Sequence, residues 1–181
     1  MTRATKPMSL TVNDRQVGPV AVPEGLMMQD FLHEYLNLTG ARMGCGQGIC
    51  HACTVVVEEE DGTLAEMRTC IVGAHWFEGR RVRTIEGIAE RDTDGAVTDL
   101  SPVQQAFIEH FSFQCGYCTP GFVIGATVLL DRLQREPVSR EDLEEVITEA
   151  LDKHICRCTG YIRYLEAVRD VALKTPGLVT S

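Results

Sequence analysis

The 181-residue chain holds eight cysteines in two groups of four, at 45, 50, 53 and 70 and at 115, 118, 156 and 158. The first group reads C-G-Q-G-I-C-H-A-C from Cys45 to Cys53, a C-x4-C-x2-C loop with its fourth thiol at Cys70. Thiolates are soft ligands suited to iron–sulfur clusters and zinc, and this spacing is one that holds a [2Fe-2S] cluster. The chemistry implied is one-electron transfer. Gly44, Gly46 and Gly48 suit a loop that wraps a cluster closely. A cluster with four thiolates carries a formal charge of about −2, so backbone N–H groups must also be aimed at its sulfurs. Zinc sites usually pair two short C-x2-C hooks, whereas three thiols here crowd one loop. Disulfides fit less well, because nothing marks the chain as secreted.

The second group is two short hooks, Cys115-Gly-Tyr-Cys118 and Cys156-Arg-Cys158, each set between two helical patterns. Each hook gives only two ligands, so two helix-hook-helix halves must face each other to bring four thiolates to one end of a bundle. Helix N-termini expected at Thr119 and Thr159 would direct positive dipole ends toward that anionic group.

The elements that position these loops follow from periodicity and punctuation. Residues 9–22 alternate apolar and polar around Asn13-Asp14 and predict a β-hairpin. Leu26, Met27, Phe31, Leu32, Tyr35 and Leu36 recur at helical spacing, and His33 on that helix is read as a partly exposed side chain. Thr54–Val57 predicts a strand closed by an acidic turn at 59–62, and residues 80–85 a last strand. The polar stretch 91–98 is the expected boundary between a domain at 1–92 and one at 93–181. Beyond it Ser101-Pro102, Thr119-Pro120, Ser139 and Thr159 are the expected starts of four helices.

Composition narrows the function. With 26 acidic against 17 basic residues the formal charge is −9, which disfavours a nucleic-acid partner. No apolar run reaches the length of a membrane span. The N-terminus shows no signal segment, so the cytoplasm is expected, with membrane association or export supplied only through a partner. No general base or nucleophile arrangement stands out and no catalytic residue is assigned.

Taken together, G-C-G-Q-G-I-C-H-A-C-T-V, R-T-C-I-V, T-I-E-G-I, Q-C-G-Y-C-T-P-G-F and I-C-R-C-T-G-Y resemble the small iron–sulfur subunit of the xanthine oxidase family of molybdenum hydroxylases. The resemblance covers nearly all of residues 9–173. It implies an α+β chain: an N-terminal β-grasp, ferredoxin-like domain followed by a C-terminal four-helix-bundle domain. It further implies that Cys45, Cys50, Cys53 and Cys70 bind an outer [2Fe-2S] cluster, and Cys115, Cys118, Cys156 and Cys158 an inner one. By the same resemblance Gln114 and Cys158 contact molybdopterin held by a large partner subunit. Electrons would pass outward to FAD or haem in a flavin or cytochrome subunit. A freestanding two-cluster ferredoxin is the competing expectation, and a zinc-stabilised binding module a third.

One position departs from the family pattern. His51 stands where the family usually has glycine, and its side chain is expected to tune the outer cluster through solvation or a hydrogen bond to sulfur, with a pH dependence. An exposed loop histidine is the plainer expectation.

Overall fold

The computed structural model describes residues 4–180. β1 (Thr5–Val12) and β2 (Arg15–Pro23) form the expected hairpin. Asn13 and Asp14 take φ of 50° and 61°, the left-handed pair that a two-residue turn between twisted strands demands. Met8, Leu10 and Val12 alternate inward, onto α1 (Met28–Glu34), which buries Met28, Phe31 and Leu32. That helix is shorter at both ends than the apolar spacing suggests.

β3 (Thr54–Glu58), β4 (Leu64–Arg68) and β5 (Arg81–Arg83) complete a five-stranded sheet in the order β2-β1-β5-β3-β4. β1 and β5 run parallel and the other pairs antiparallel, with α1 crossing the sheet, as the β-grasp expectation requires. β4 was not expected. All five of its residues are half-buried, so it carries no alternating signal.

The polar stretch near residue 91 is not a bare linker. β6 (Glu90–Arg91) pairs with β7 (Val97–Asp99), and the Asp92 carboxylate accepts N–H bonds from Asp94 and Ala96 in the turn. Then come α2 (Pro102–Glu109), α3 (Thr119–Arg135), α4 (Leu143–Leu151) and α5 (Ile162–Lys174). Their apolar faces meet in a second core that includes Phe107, Phe122, Leu133, Ile147, Tyr164 and Val168. β8 (Val138–Ser139) and β9 (Val179–Thr180) pair in parallel and tie down the end of the described chain.

The helix starts divide in their chemistry. Ser101 and Gln104 form a reciprocal capping box on α2, with Pro102 at the first helical position. Ser139 accepts the Asp142 N–H at 3.1 Å and closes the turn into α4. Thr119 and Thr159 are not caps. Thr119 lies inside α3 and its hydroxyl pairs with that of Tyr164 at 2.8 Å. The fourth helix begins only at Ile162, because Gly160 and Tyr161 must first turn the chain at φ of 68° and 72°.

α3 joins the two cores. It lies across β3 and β4, where the Leu64 N–H donates to Asp131 at 3.4 Å and Arg135 donates to the Gly62 carbonyl at 2.6 Å. Close approach depends on Gly121 and Gly125, one turn apart. A Cβ at 121 would collide with the His51 carbonyl, and one at 125 would stand 2.5 Å from His154 Nε2.

Candidate metal centres

The first ligand loop is shaped by left-handed residues: Gly46 and Gly48 at φ of 65° and 71°, and His51 at 56°. This curl turns the N–H groups of Gln47, Ile49 and Cys50 onto Cys45 Sγ at 3.3, 3.4 and 3.4 Å. Burial pushes the Cys45 thiol up, but these donors outweigh it and bring it down to about 6. Cys50 lies beside Cys45, and a Cβ on Gly44 would stand only 2.7 Å from Cys50 Sγ. Cys53 and Cys70 are both buried and adjacent, and burial pushes Cys53 up to about 11.

The second group assembles across the two hooks. Cys115 Sγ and Cys158 Sγ are 3.7 Å apart, and Cys118 neighbours Cys156, so each hook gives one thiol to each pair. The two pairs differ in environment. Cys156 is buried and Cys118 half-buried, and desolvation pushes Cys118 up to about 11. Burial also acts to raise Cys156, but the Thr159 hydroxyl, donating to Cys156 Sγ at 3.1 Å, and nearby backbone N–H groups outweigh it and lower that thiol. Cys115 and Cys158 are exposed, as is Gln114 beside them.

All eight thiols are free of disulfides. The thiols neighbour one another as Cys45 with Cys50, Cys53 with Cys70, Cys115 with Cys158 and Cys118 with Cys156, and the backbone and hydroxyl donors aimed at Cys45 and Cys156 are of the kind that anionic iron–sulfur clusters need. The two ligand loops also touch. The Tyr117 hydroxyl donates to the Met43 carbonyl at 2.8 Å, next to Gly44.

His51 is neither exposed nor turned to a sulfur. It is 7% exposed, and its ring nitrogens face Arg68 and Glu66. Glu66, Arg68 and His154 escaped the reading of the sequence. Only the departure at His51 pointed toward them. His33 is half-buried, with Nε2 2.7 Å from the Ala41 carbonyl.

Residues 11–75 match the family described as "2Fe-2S iron-sulfur cluster binding domain", and residues 84–169 match "[2Fe-2S] binding domain". The nicotine 6-hydroxylase small subunit of Paenarthrobacter nicotinovorans is 39% identical over 163 residues, spanning 90% of this chain and 87% of that one. The chain is a small iron–sulfur subunit of the molybdenum hydroxylase family. Its fold matches a chain of quinoline 2-oxidoreductase from Pseudomonas putida 86 with a TM-score of 0.76 and 30% identity, covering 96% of this chain and 93% of that one. The aldehyde oxidoreductase of Desulfovibrio desulfuricans matches with a TM-score of 0.73 and 34% identity, over 98% of this chain but 18% of that one. The same unit thus occurs as a subunit-sized chain and as a small part of a much longer one. In this small subunit, Met43, Ile49, Phe111, Tyr117, Ile155 and Ile162 are exposed apolar residues in or near the two ligand loops.

Proposed function

We propose that this subunit carries two [2Fe-2S] clusters, one on Cys45, Cys50, Cys53 and Cys70 and one on Cys115, Cys118, Cys156 and Cys158. When bound, each cluster takes up and releases a single electron. The proposed boundary at 92 and 93 follows Ile85 and Ile88, which already pack on the helical core. The chain's own residues set the two sites on separate cores. They supply N–H and O–H donors to the sulfurs and expose the Cys115–Cys158 edge beside Gln114. That exposed edge carries the reading: a buried relay needs one accessible side where a partner's redox group can approach. Gln114 and Cys158 are the residues proposed to meet molybdopterin in a large partner subunit, and a FAD- or haem-bearing subunit is the proposed final acceptor. The exposed apolar residues around the ligand loops support an assembled complex over a freestanding ferredoxin. Among the described residues no helix is long and apolar enough to cross a membrane. The proposed location is the cytoplasm, with any membrane attachment supplied by a partner.

Anaerobic purification tests this reading. About four irons and four sulfides per chain, two distinct reduced-state EPR signals and copurifying large polypeptides are expected. Zinc in place of iron and sulfide would refute it. Elution as an iron-loaded 20.0 kDa monomer would favour the freestanding carrier.

A further inference from the structure

Between the two cysteine loops stand four polar side chains that are not among the proposed ligands. Arg68 Nη1 lies 3.1 Å from His51 Nε2, His51 Nδ1 lies 3.4 Å from Glu66 Oε2, and His154 Nε2 lies 3.3 Å from that same oxygen. His51 and His154 are 7% and 1% exposed, and their rings meet edge to face with centroids 5.0 Å apart. His51 belongs to the first ligand loop, between Cys50 and Cys53. Glu66 and Arg68 lie on β4. His154 precedes Cys156 of the inner set by two residues and packs on Phe122 of α3. The line therefore runs from one ligand loop to the other through the seam between the two cores.

The hydrogen-bond directions are fixed by the donor inventory. Arginine has donors only, so His51 Nε2 accepts from Arg68 and His51 Nδ1 carries the proton that it offers to Glu66. Glu66 then faces both imidazoles. The His154 nitrogens are in reach of the carboxylate without an aligned hydrogen bond, so that contact is electrostatic packing.

Two histidines and a glutamate within 4.8 Å also resemble a cation site. The Arg68 contact argues otherwise, because a metal on His51 Nδ1 needs the lone pair there and a proton on Nε2, which would oppose the guanidinium. His51 also holds φ of 56°, which glycine would adopt freely, so its side chain is kept at some conformational expense.

We infer that His51 and Glu66 are positioning residues for electron transfer between the clusters: with Arg68 and His154 they form a polar bridge that holds the two ligand loops at fixed separation. This inference rests on the two-cluster reading, and the two fail differently. The test uses the full iron-loaded chain with His51→Gly, which removes the side chain and suits the backbone. Arg68→Met is the second variant, keeping His51 but deleting its donor. Each is compared with wild type for iron and sulfide content, for the magnetic splitting between the two reduced clusters at low temperature, and for the rate of electron equilibration between them.

In both variants iron content and both individual signals are expected to persist while the splitting shrinks and equilibration slows several-fold, because magnetic coupling and electron tunnelling both weaken as the two clusters move apart. A lowered melting temperature with unchanged splitting and rate would reduce the bridge to a structural brace and overturn the inference. A non-iron divalent metal bound one per chain in wild type and lost in His51→Gly would overturn it in favour of a cation site. Lack of two iron–sulfur signals in wild type would instead defeat the reading beneath it.

Discussion

The Ile155 N–H donates to the carbonyl of Cys50 at 3.1 Å, which makes one hydrogen bond the whole gap between the backbones of the two ligand sets. Cys50 belongs to the first set, and Ile155 is bonded directly to Cys156 of the second. On the second set this route ends at the buried Cys156, while Cys115 and Cys158 face out; on the first it starts at the half-buried Cys50. In the proposed two-cluster arrangement, the Cys115–Cys158 edge is the one open to a partner and the Cys156 edge is the one that faces the first set. Ile155→Pro deletes the donor. Freeze-quench EPR should show both clusters present, with exchange between them slowed several-fold. An unchanged exchange rate would mean that electrons take another route.

Gly121 carries the approach of α3 to the first ligand loop. A methyl there meets the His51 carbonyl, so Gly121→Ala must lift the helix or shift the loop. Overpacking of this kind costs about 1–3 kcal/mol. Thermal unfolding of the loaded chain should report the loss. Gly73→Ala is the control, because a Cβ there meets only the Leu26 carbonyl at 3.8 Å and φ is −66°. That variant should stay within about 0.5 kcal/mol of wild type.

Cys118→Ser should abolish the inner cluster and leave the outer one. The two thiol sets hang on different cores, one on the sheet and α1 and one on the helices, so loss at one need not unfold the other. One of two EPR signals should vanish, with near-normal content of the first. Retention of both signals would remove Cys118 from the ligand set.

Much of this was legible in the sequence because it depends on spacing and on local capping. The cysteine intervals, the Asn13-Asp14 turn and the Ser101–Gln104 capping box each involve residues close along the chain. β4 was not legible, since α3 covers it and leaves every residue half-buried. Thr119 and Thr159 read as caps by type, yet their hydroxyls serve Tyr164 and Cys156 Sγ. Thr159 turns back three residues to a sulfur of its own hook instead of capping the helix ahead of it, whereas Tyr164 meets Thr119 only once the two hooks have folded together. The His51–Glu66–His154 cluster was hidden for the same reason: His154 lies 103 positions from His51 and meets it only through the seam beneath α3.

Gln114→Ala should weaken association with the proposed molybdopterin-bearing partner without disturbing either cluster. Gln114 is exposed beside Cys115 and contributes no core contact, so its amide is free to meet a partner. One lost hydrogen bond to a group that becomes buried in the complex costs about 1–3 kcal/mol. A partial loss of turnover, with normal iron content and normal melting of the isolated subunit, is the expected pattern. Equal turnover and equal cofactor occupancy would remove Gln114 from the contact.

Glu66 makes the seam sensitive to acid. Burial pushes its carboxyl up, but His154 and His51 outweigh that and hold it at about 2, below the ordinary 4.5. A carboxylate depressed in the folded state binds fewer protons there than in the unfolded chain. Its contribution is therefore full above the unfolded value near 4.5 and is lost as pH falls toward about 2. The side chain is 22% exposed, so screening by solvent is limited and the contribution at neutral pH is on the order of 3 kcal/mol. Urea unfolding at steps from pH 5 to pH 3 should show wild type losing stability more steeply than Glu66→Gln, whose amide does not titrate. Parallel curves for the two proteins would mean that the histidines do not hold the charge.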